Sequence, residues 1–450
     1  MVTPLSNDPM SMEAEVGGNL SRREFTRLSA SALAGAAVGG GLVACSNGSE
    51  EVVSRVTEDG VTIVRNPAEP AFRGGMRLER VFDIGLSGMD PSDDPRYVLG
   101  SISRAAVGHD VVAVADRAEA EIRLFNSEGR HLHTFGERGE GPGEFEFLDH
   151  IALDEHGLVA LERTGRLSSF DLQGEYIGRV NVDDLIGPLS FRHLAKAGSE
   201  RVILHVYPRR LLEGDPPADG GLILLDPSSG DWTAFGPPRE YPHRQVLVSE
   251  LDEAMGESGG HERYVRLIDH GSICIDERSE SLYLVRQAAP DNILEYSMDG
   301  RLRRELSREV EPERRGIRVR EFEEDEDPWS AGRGETRVTG LVVDPEHRER
   351  TGRMRYFQLI EESMGVARVG PHIASFYRVL RDDEWEFDHF ADLYDAESGR
   401  YEHRVPLDVH PVVDLSRPLA GADRDGAVYF ATQDEDLGFH KVSKFDLRTG

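Results

Sequence analysis

The chain has 450 residues and carries 52 basic against 83 acidic side chains, which gives it a formal net charge of -31 at pH 7. A field of this sign repels phosphate, so the composition argues against nucleic acid as a partner. With 38% hydrophobic and 30% charged residues, the chain has enough apolar side chains for a large core. We therefore expect a folded protein with an acidic surface.

A stretch near the N terminus has the features of a targeting segment. Arg22, Arg23 and Phe25 lie in SRREFTR, which resembles a twin-arginine export motif and is followed by an apolar stretch rich in Ala and Gly. The next segment, LVAC, resembles a lipobox, in which a peptidase cuts before Cys45 and the thiol receives a lipid. Residues 1–45 are thus predicted to be a signal region that directs export and leaves the chain anchored to a membrane at the cell envelope.

Residues 46–75 are predicted to be a flexible polar tether between this anchor and the folded domain. The chain contains two cysteines, and the anchor uses Cys45, so Cys274 has no partner for a disulfide. Because Cys274 lies in the apolar run SICID, we expect a buried small side chain and not a reactive thiol.

The clearest repeat unit runs from Val111 to Phe145. VVAVAD is apolar throughout, as in a strand buried on both faces, whereas EIRLFN and RHLHTF alternate as half-buried strands do. The following segments, GEGPGEF (from Gly139) and HIALDEHGLVAL (from His150), resemble the linker, inner strand and D-x-x-G turn of an NHL-type β-propeller repeat. This resemblance implies four-stranded blades arranged around a central channel.

Similar patterns of strands and turns divide residues 76–450 into six blades. The last one ends on HKVSKFDLRTG (from His440), whereas each earlier blade continues into one more strand. The segment from Met76 to Gly85 alternates as an outer strand does, and it lies at the opposite end of the chain. We predict that it completes the sixth blade, so that the fold is an all-β, six-bladed β-propeller closed by an N-terminal strand.

The fifth blade is the least regular part of the pattern. Its inner strand is expected to be either HIASFYRVL (from His372) or TGLVVD (Thr339 to Asp344). The stretch from Pro345 to Met364 is the one place where a helix would suit the sequence. The acidic run between Val310 and Val338 is expected to be a solvated loop in preference to a cation site.

Four histidines stand just ahead of, or at the start of, predicted inner strands: His150, His193, His270 and His372. Inner strands line the channel of a propeller, so these rings are predicted to lie at one mouth. Two interpretations remain open. In the first, each imidazole caps its strand by hydrogen bonding to a neighbouring blade. In the second, the four rings converge on one ligand, which is either a divalent metal ion acting as a cofactor or an anion.

Catalytic signatures are incomplete in this sequence. His261-Glu262 begins a zinc-protease pattern, but Val265 stands where the second His should be, and we find no G-x-S-x-G motif. The sequence therefore predicts an exported, lipid-anchored propeller that binds a small molecule or a protein at the cell envelope. The alternative is a metal-dependent enzyme, because the architecture is similar to that of gluconolactonase-like hydrolases and certain lyases, which hold a metal in the channel.

Overall fold

The computed structural model describes residues 53–86, 94–108, 110–208, 221–236, 271–311, 314, 316–322, 342–343, 351, 353–381, 387–409, 411, 418–433 and 439–449. These residues contain 29 strands, with a 3-10 turn at Pro95–Tyr97 and a short α-helix, α1, at Val182–Ile186. No helix in this part of the chain has the length and apolar character needed to cross a membrane.

Three strands precede the first blade: β1 (Ser54–Glu58), β2 (Val61–Asn66) and β3 (Met76–Ile84). The next twelve strands form three four-stranded antiparallel blades. Blade 1 contains β4 (Ile102–Gly108), β5 (Val111–Asp116), β6 (Glu121–Asn126) and β7 (His131–Phe135). Blade 2 contains β8 (Leu148–Asp154), β9 (Gly157–Glu162), β10 (Arg166–Phe170) and β11 (Tyr176–Asn181). Blade 3 contains β12 (Leu189–Ala197), β13 (Arg201–Pro208), β14 (Leu222–Leu225) and β15 (Trp232–Phe235).

The second half of the ring also contains three blades, with a small sheet inserted between blades 4 and 5 in the sequence. Blade 4 contains β16 (Gly271–Asp276), β17 (Ser281–Arg286), β18 (Ala289–Ser297) and β19 (Leu302–Arg308). The inserted sheet contains β20 (Ile317–Phe322), β21 (Val342–Val343) and β22 (Met354–Leu359). Blade 5 contains β23 (Glu361–Val369), β24 (His372–Leu380), β25 (Phe387–Asp395) and β26 (Tyr401–Leu407). Blade 6 contains β27 (Leu419–Ala422), β28 (Val428–Gln433) and β29 (His440–Thr449), and it is completed by β3.

The six blades close into a ring. The inner strands contact one another in the order β4, β8, β12, β16, β23 and β27, and β27 returns to β4. Strand β3 pairs antiparallel with β29, with Ile84 opposite Val442 and Met76 opposite Thr449. The predicted fold class, including closure by an N-terminal strand, is therefore confirmed.

The GEGPGEF linker has a structural role between blades 1 and 2. Glu144 accepts a hydrogen bond from the backbone N–H of Gly141 at 2.7 Å, which holds the loop in a tight turn. The turn places the fully buried Phe145 ring 5.8 Å from the ring of Phe170 in the core shared by the two blades. The linker is thus explained by packing.

The prediction of a flexible tether is wrong for residues 54–66. Strands β1 and β2 form a hairpin whose two-residue turn is Asp59-Gly60, both with positive φ. Strand β2 then pairs in parallel with β19, which adds the hairpin to the outer edge of blade 4. The buried Asn66 side chain donates hydrogen bonds to the carbonyls of Ser307 and Gly399, so this segment joins blades 4 and 5.

The inner strand of blade 5 is β23, so both predicted alternatives are wrong. HIASFYRVL forms the second strand, β24, and Val342–Val343 belongs to the inserted sheet. The helix considered for Pro345 to Met364 is also wrong over residues 354–364, where the chain forms β22 and the start of β23.

Buried charges explain why the sequence pattern of β23 is misleading. Its first two residues, Glu361 and Glu362, are both buried, which is uncommon for glutamate. Each pairs with an arginine, since Arg308 lies 3.4 Å from Glu361 and Arg378 pairs with Glu362. A strand that begins with two charged residues does not resemble a buried one until these partners are known.

Candidate functional site

The central channel contains a cavity of about 480 Å³ whose wall is built from the inner strands of all six blades. Each inner strand, or the turn that directly follows it, contributes a charged residue to the wall. In ring order these residues are Arg104, Asp154, Lys196, Asp276, Arg368 and Asp423. Cations thus come from blades 1, 3 and 5, and carboxylates come from blades 2, 4 and 6. The turns after β16 and β27 add Glu277, Arg278 and Arg424, so the wall carries five cations and four acids in a chain whose acidic residues greatly outnumber its basic ones.

Local turns position the three carboxylates. Asp154 and Asp276 end their strands, and Asp423 directly follows β27. Each Oδ1 accepts a hydrogen bond from the backbone N–H two residues further on, at 2.8 Å for Asp154 and 3.1 Å for both Asp276 and Asp423. Asp favours such turns because its short side chain can bond to the backbone ahead of it. The turn motif read from the sequence therefore also places a carboxylate at the same end of the channel in alternate blades.

Every one of these carboxylates has a cation beside it. The Nζ of Lys196 lies 2.9 Å from Oδ1 of Asp154, and Nζ of Lys444 lies 3.0 Å from Oδ2 of Asp423. Nε of Arg368 lies 3.6 Å from Oδ2 of Asp276, which is beyond hydrogen-bond distance. The charges at this end of the channel are therefore largely neutralised within the protein.

Arg104 lies toward the end of the channel where the inner strands begin. It is buried, and this burial lowers the pKa of its guanidinium to about 10, while the carboxylate of Asp149 acts in the opposite direction. An arginine with this pKa stays protonated at neutral pH. Blade 1 therefore contributes a permanent positive charge, that of Arg104, to the cavity wall.

Asp154 and Arg368 in the wall carry polar atoms for which the described residues supply no hydrogen-bond partner. One is Oδ2 of Asp154, whose residue is 4% exposed. The others are Nε and Nη1 of Arg368. Asp423 is different, because its Oδ2 receives both the Tyr429 hydroxyl and the Lys444 ammonium at 3.0 Å. Buried polar atoms are nearly always paired, so the open atoms of Asp154 and Arg368 mark a place where a ligand or water can bind.

The turns that follow the inner strands of blades 2, 4 and 6 meet at this end of the channel. Arg278 donates a hydrogen bond to the carbonyl of Arg424 at 2.8 Å, and Arg424 pairs with Glu155 at 3.2 Å. These three blades are not adjacent in the ring, so the contacts run across the channel. These contacts narrow the mouth of the channel at the end where the inner strands finish.

Cys274 lies on β16 in the wall of the same cavity and is partly exposed. Burial raises the pKa of its thiol to about 11. Because the thiolate is the nucleophilic form, this thiol reacts slowly at neutral pH. The expected low reactivity agrees with this environment, but the side chain is partly exposed where a buried one was expected.

The four histidines selected from the sequence do not all lie on equivalent strands. His150 donates from Nε2 to the carbonyl of Phe191 in blade 3 at 3.3 Å, and Nδ1 of His193 accepts from the N–H of Ile273 in blade 4 at 2.9 Å. Both rings thus bond to the next blade. His270 lies outside the described residues.

His372 begins β24, so the inner-strand position predicted for it is wrong. It lies where β23 ends, opposite Val369, and pairs with Glu402 at 3.1 Å. His150 is the third residue of β8, and His193 is the middle residue of β12 and lines the cavity, so His372 is not at an equivalent position. Within the described part of the chain, no group of three or more His, Cys, Asp or Glu side chains is placed to hold a metal ion.

Sequence reasoning did not select the charged ring. The signal that could have found it is the position of Asp154, Asp276 and Asp423 at the same point of three repeats, followed in each blade by a further charged residue. Lys196 is also informative, because it is one of only three lysines in the chain.

Comparison with known proteins agrees with the architecture. Residues 93–198 match the model of a family, DUF5128, described as a six-bladed β-propeller. This region spans blades 1 and 2 and the first strand of blade 3. No curated protein matches the chain.

Solved structures with the same fold share little sequence with the chain. A member of the DUF4221 family from Bacteroides vulgatus is 11% identical, with a TM-score of 0.50 over 84% of this chain and 99% of that one. A Bacteroides fragilis protein that is described as exported is 10% identical, with a TM-score of 0.47 over 86% of this chain and 99% of that one. At 11% identity, the likeness to the Bacteroides vulgatus structure indicates a shared fold and leaves the ligand open.

Proposed function

We propose that this chain is an exported, lipid-anchored β-propeller that binds a small molecule in its central channel. The observation that carries the proposal is the cavity of about 480 Å³ with a charged residue from every blade in its wall. Ligand sites are commonly clefts of about 300–1,000 Å³ in which a few polar groups fix the orientation of the ligand. The channel has this size and this kind of lining.

The sequence of the N terminus supports export and anchoring. Arg22, Arg23 and Phe25 form the export motif, and Cys45 is the proposed site of the lipid. Twin-arginine export carries folded proteins, so the ring would close before the chain crosses the membrane. Two or more acyl chains on Cys45 would hold the protein firmly, because each buried methylene contributes about 0.8 kcal/mol. Membrane attachment would then depend on this one residue.

The protein would be a binding module without nucleic-acid partners, since its net charge of -31 opposes phosphate. A partner protein that contacts the ends of the ring, where the turns of several blades meet, would distinguish the ligand-bound from the ligand-free channel. In this arrangement the small molecule is the signal or cargo, and the propeller supplies the rigid site around it.

The thiol of Cys274 provides a test of channel binding. In the Cys45→Ala chain it is the sole thiol, so alkylation by iodoacetamide reports on the cavity alone. We expect the rate to rise about tenfold per pH unit up to a pH near the thiol pKa of about 11, because only the thiolate reacts. A maleimide attached to a large polymer should react much more slowly than iodoacetamide.

Occupancy of the channel should protect this thiol. The small-molecule fraction of an extract from the producing cells is expected to slow alkylation of the folded chain and to leave the rate of the urea-unfolded chain unchanged. If the extract at high concentration has no effect on the folded chain, binding in the channel is contradicted.

A further inference from the structure

We infer that the channel ligand is a zwitterion of the amino-acid or short-peptide class, with a protonated amine at Asp154 and a carboxylate at Arg368. This inference rests on the proposed function and names the chemistry of its ligand. It is carried by the open atoms in the cavity wall, by the ion pairs beside them, and by their positions in the ring.

The open atoms differ in kind between the two residues. Oδ2 of Asp154 is an acceptor, whereas Nε and Nη1 of Arg368 are donors. A ligand that satisfies both must offer a donor to the first residue and an acceptor to the second. Ammonium and carboxylate groups make the stronger, charge-assisted versions of these hydrogen bonds.

Equivalent residues in the same ring show what a completed site looks like. Asp423 occupies the position of Asp154 in blade 6, and both of its oxygens receive hydrogen bonds from the protein. In blade 4, the two oxygens of Asp276 accept from the Arg278 N–H at 3.1 Å and from the Ser279 hydroxyl at 2.8 Å. Among these three carboxylates of the described wall, Asp154 alone keeps an oxygen without such a donor.

The ion pairs at the two open residues favour a ligand with one positive and one negative end. Asp154 already has Lys196 as its counter-ion, and Arg368 already lies beside Asp276. A simple anion or a simple cation would satisfy the open atoms of only one of the two residues. A molecule with one positive and one negative end satisfies both.

The two residues belong to blades 2 and 5, which are opposite each other in a ring of six. A short peptide can span the channel, because each extended residue adds about 3.3–3.6 Å. The termini of a peptide carry the two required charges.

The test uses peptides without side chains, so that only the termini differ. Glycine, glycylglycine and triglycine are titrated against the Cys45→Ala chain, and protection of Cys274 from iodoacetamide is measured with binding by calorimetry. N-acetyltriglycine lacks the ammonium group, and triglycinamide lacks the carboxylate. We expect at least one zwitterion to protect the thiol, and we expect each blocked derivative to bind at least about tenfold more weakly, as for loss of a charge-assisted hydrogen bond.

Variants assign the two ends of the ligand. Asp154→Asn should abolish the difference between triglycine and its acetylated form, and Arg368→Gln should abolish the difference between triglycine and its amide. Glu200→Gln is the matched control, because this exposed carboxylate lies in the turn that follows the inner strand β12 and does not line the cavity. It should leave all three affinities unchanged. Thermal unfolding of each variant shows that the comparison is made between folded proteins.

Three outcomes overturn the inference. If the acetylated and amidated peptides protect Cys274 as well as triglycine does, the termini are not recognised. If no zwitterion protects the thiol while the cell extract or a neutral sugar such as glucose does, the ligand belongs to another class and channel binding stands. If neither the zwitterions nor the extract gives protection, the inference and the proposed function both fail.

Discussion

Replacing Asp392 by Asn is expected to lower the free energy of unfolding by about 3–5 kcal/mol, the usual cost of breaking a buried ion pair from one side. Asp392 lies on β25 and is fully buried. It pairs with Arg308 and Arg404 and also accepts hydrogen bonds from the hydroxyls of Tyr377 at 3.1 Å and Tyr401 at 2.8 Å. Without its charge, two arginines between blades 4 and 5 would lose their main counter-ion in a region with little water.

Denaturant unfolding of Asp392→Asn and of Asp388→Asn provides the comparison. Asp388 lies on the same strand and pairs with Arg381, but both of these side chains are nearly half exposed. Loss of such a surface pair should cost less than about 1 kcal/mol. Equal effects of the two substitutions would show that the buried network does not hold blades 4 and 5 together.

Removal of β3 should abolish cooperative folding of the ring. A chain that begins at Gly85 lacks the strand that covers β29, and it loses the fully buried Ile84 and the apolar contacts of Met76 and Leu78. Each fully buried apolar side chain contributes about 1.5–3 kcal/mol, so the loss approaches the total stability of an ordinary domain, about 5–15 kcal/mol. The exposed edge of β29 should also promote aggregation.

A chain that begins at Gly75 is the control for this truncation. It lacks the β1–β2 hairpin but keeps β3, so it should unfold cooperatively in a thermal scan, with a lower melting temperature than the full chain. If the chain from Gly85 melts in the same way as the chain from Gly75, closure of the ring by β3 is unimportant for stability.

The sequence was sufficient to predict the fold because the blades are repeated. Alternating strands, the GEGPGEF linker and the strand missing from blade 6 all follow from local pattern. Blade 5 was misassigned because β23 begins with two glutamates, Glu361 and Glu362. Their partners, Arg308 and Arg378, lie far from them in the sequence or do not fit the repeat pattern. Contacts of this kind override the local preference of a segment.

The candidate site was harder to predict for a related reason. The position of Asp154 at the end of an inner strand follows from the turn motif, and its repetition at Asp276 and Asp423 can be seen in the sequence. Whether an oxygen is satisfied is not visible there, since Lys444 and Tyr429 complete Asp423 only after the strands have paired. His372 was wrongly placed because the strand order of blade 5 was wrong.

Membrane fractionation of the wild-type and Cys45→Ala proteins, with a high-salt wash, tests most directly the claim that this propeller works at a membrane through a lipid. The wild-type chain should stay with the washed membranes, whereas Cys45→Ala should be found in the soluble fraction as a folded protein, because the proposed anchor site precedes the blades in the sequence. Cys274→Ala, which removes the other cysteine, should behave as wild type. Retention of Cys45→Ala on the washed membranes would contradict the account.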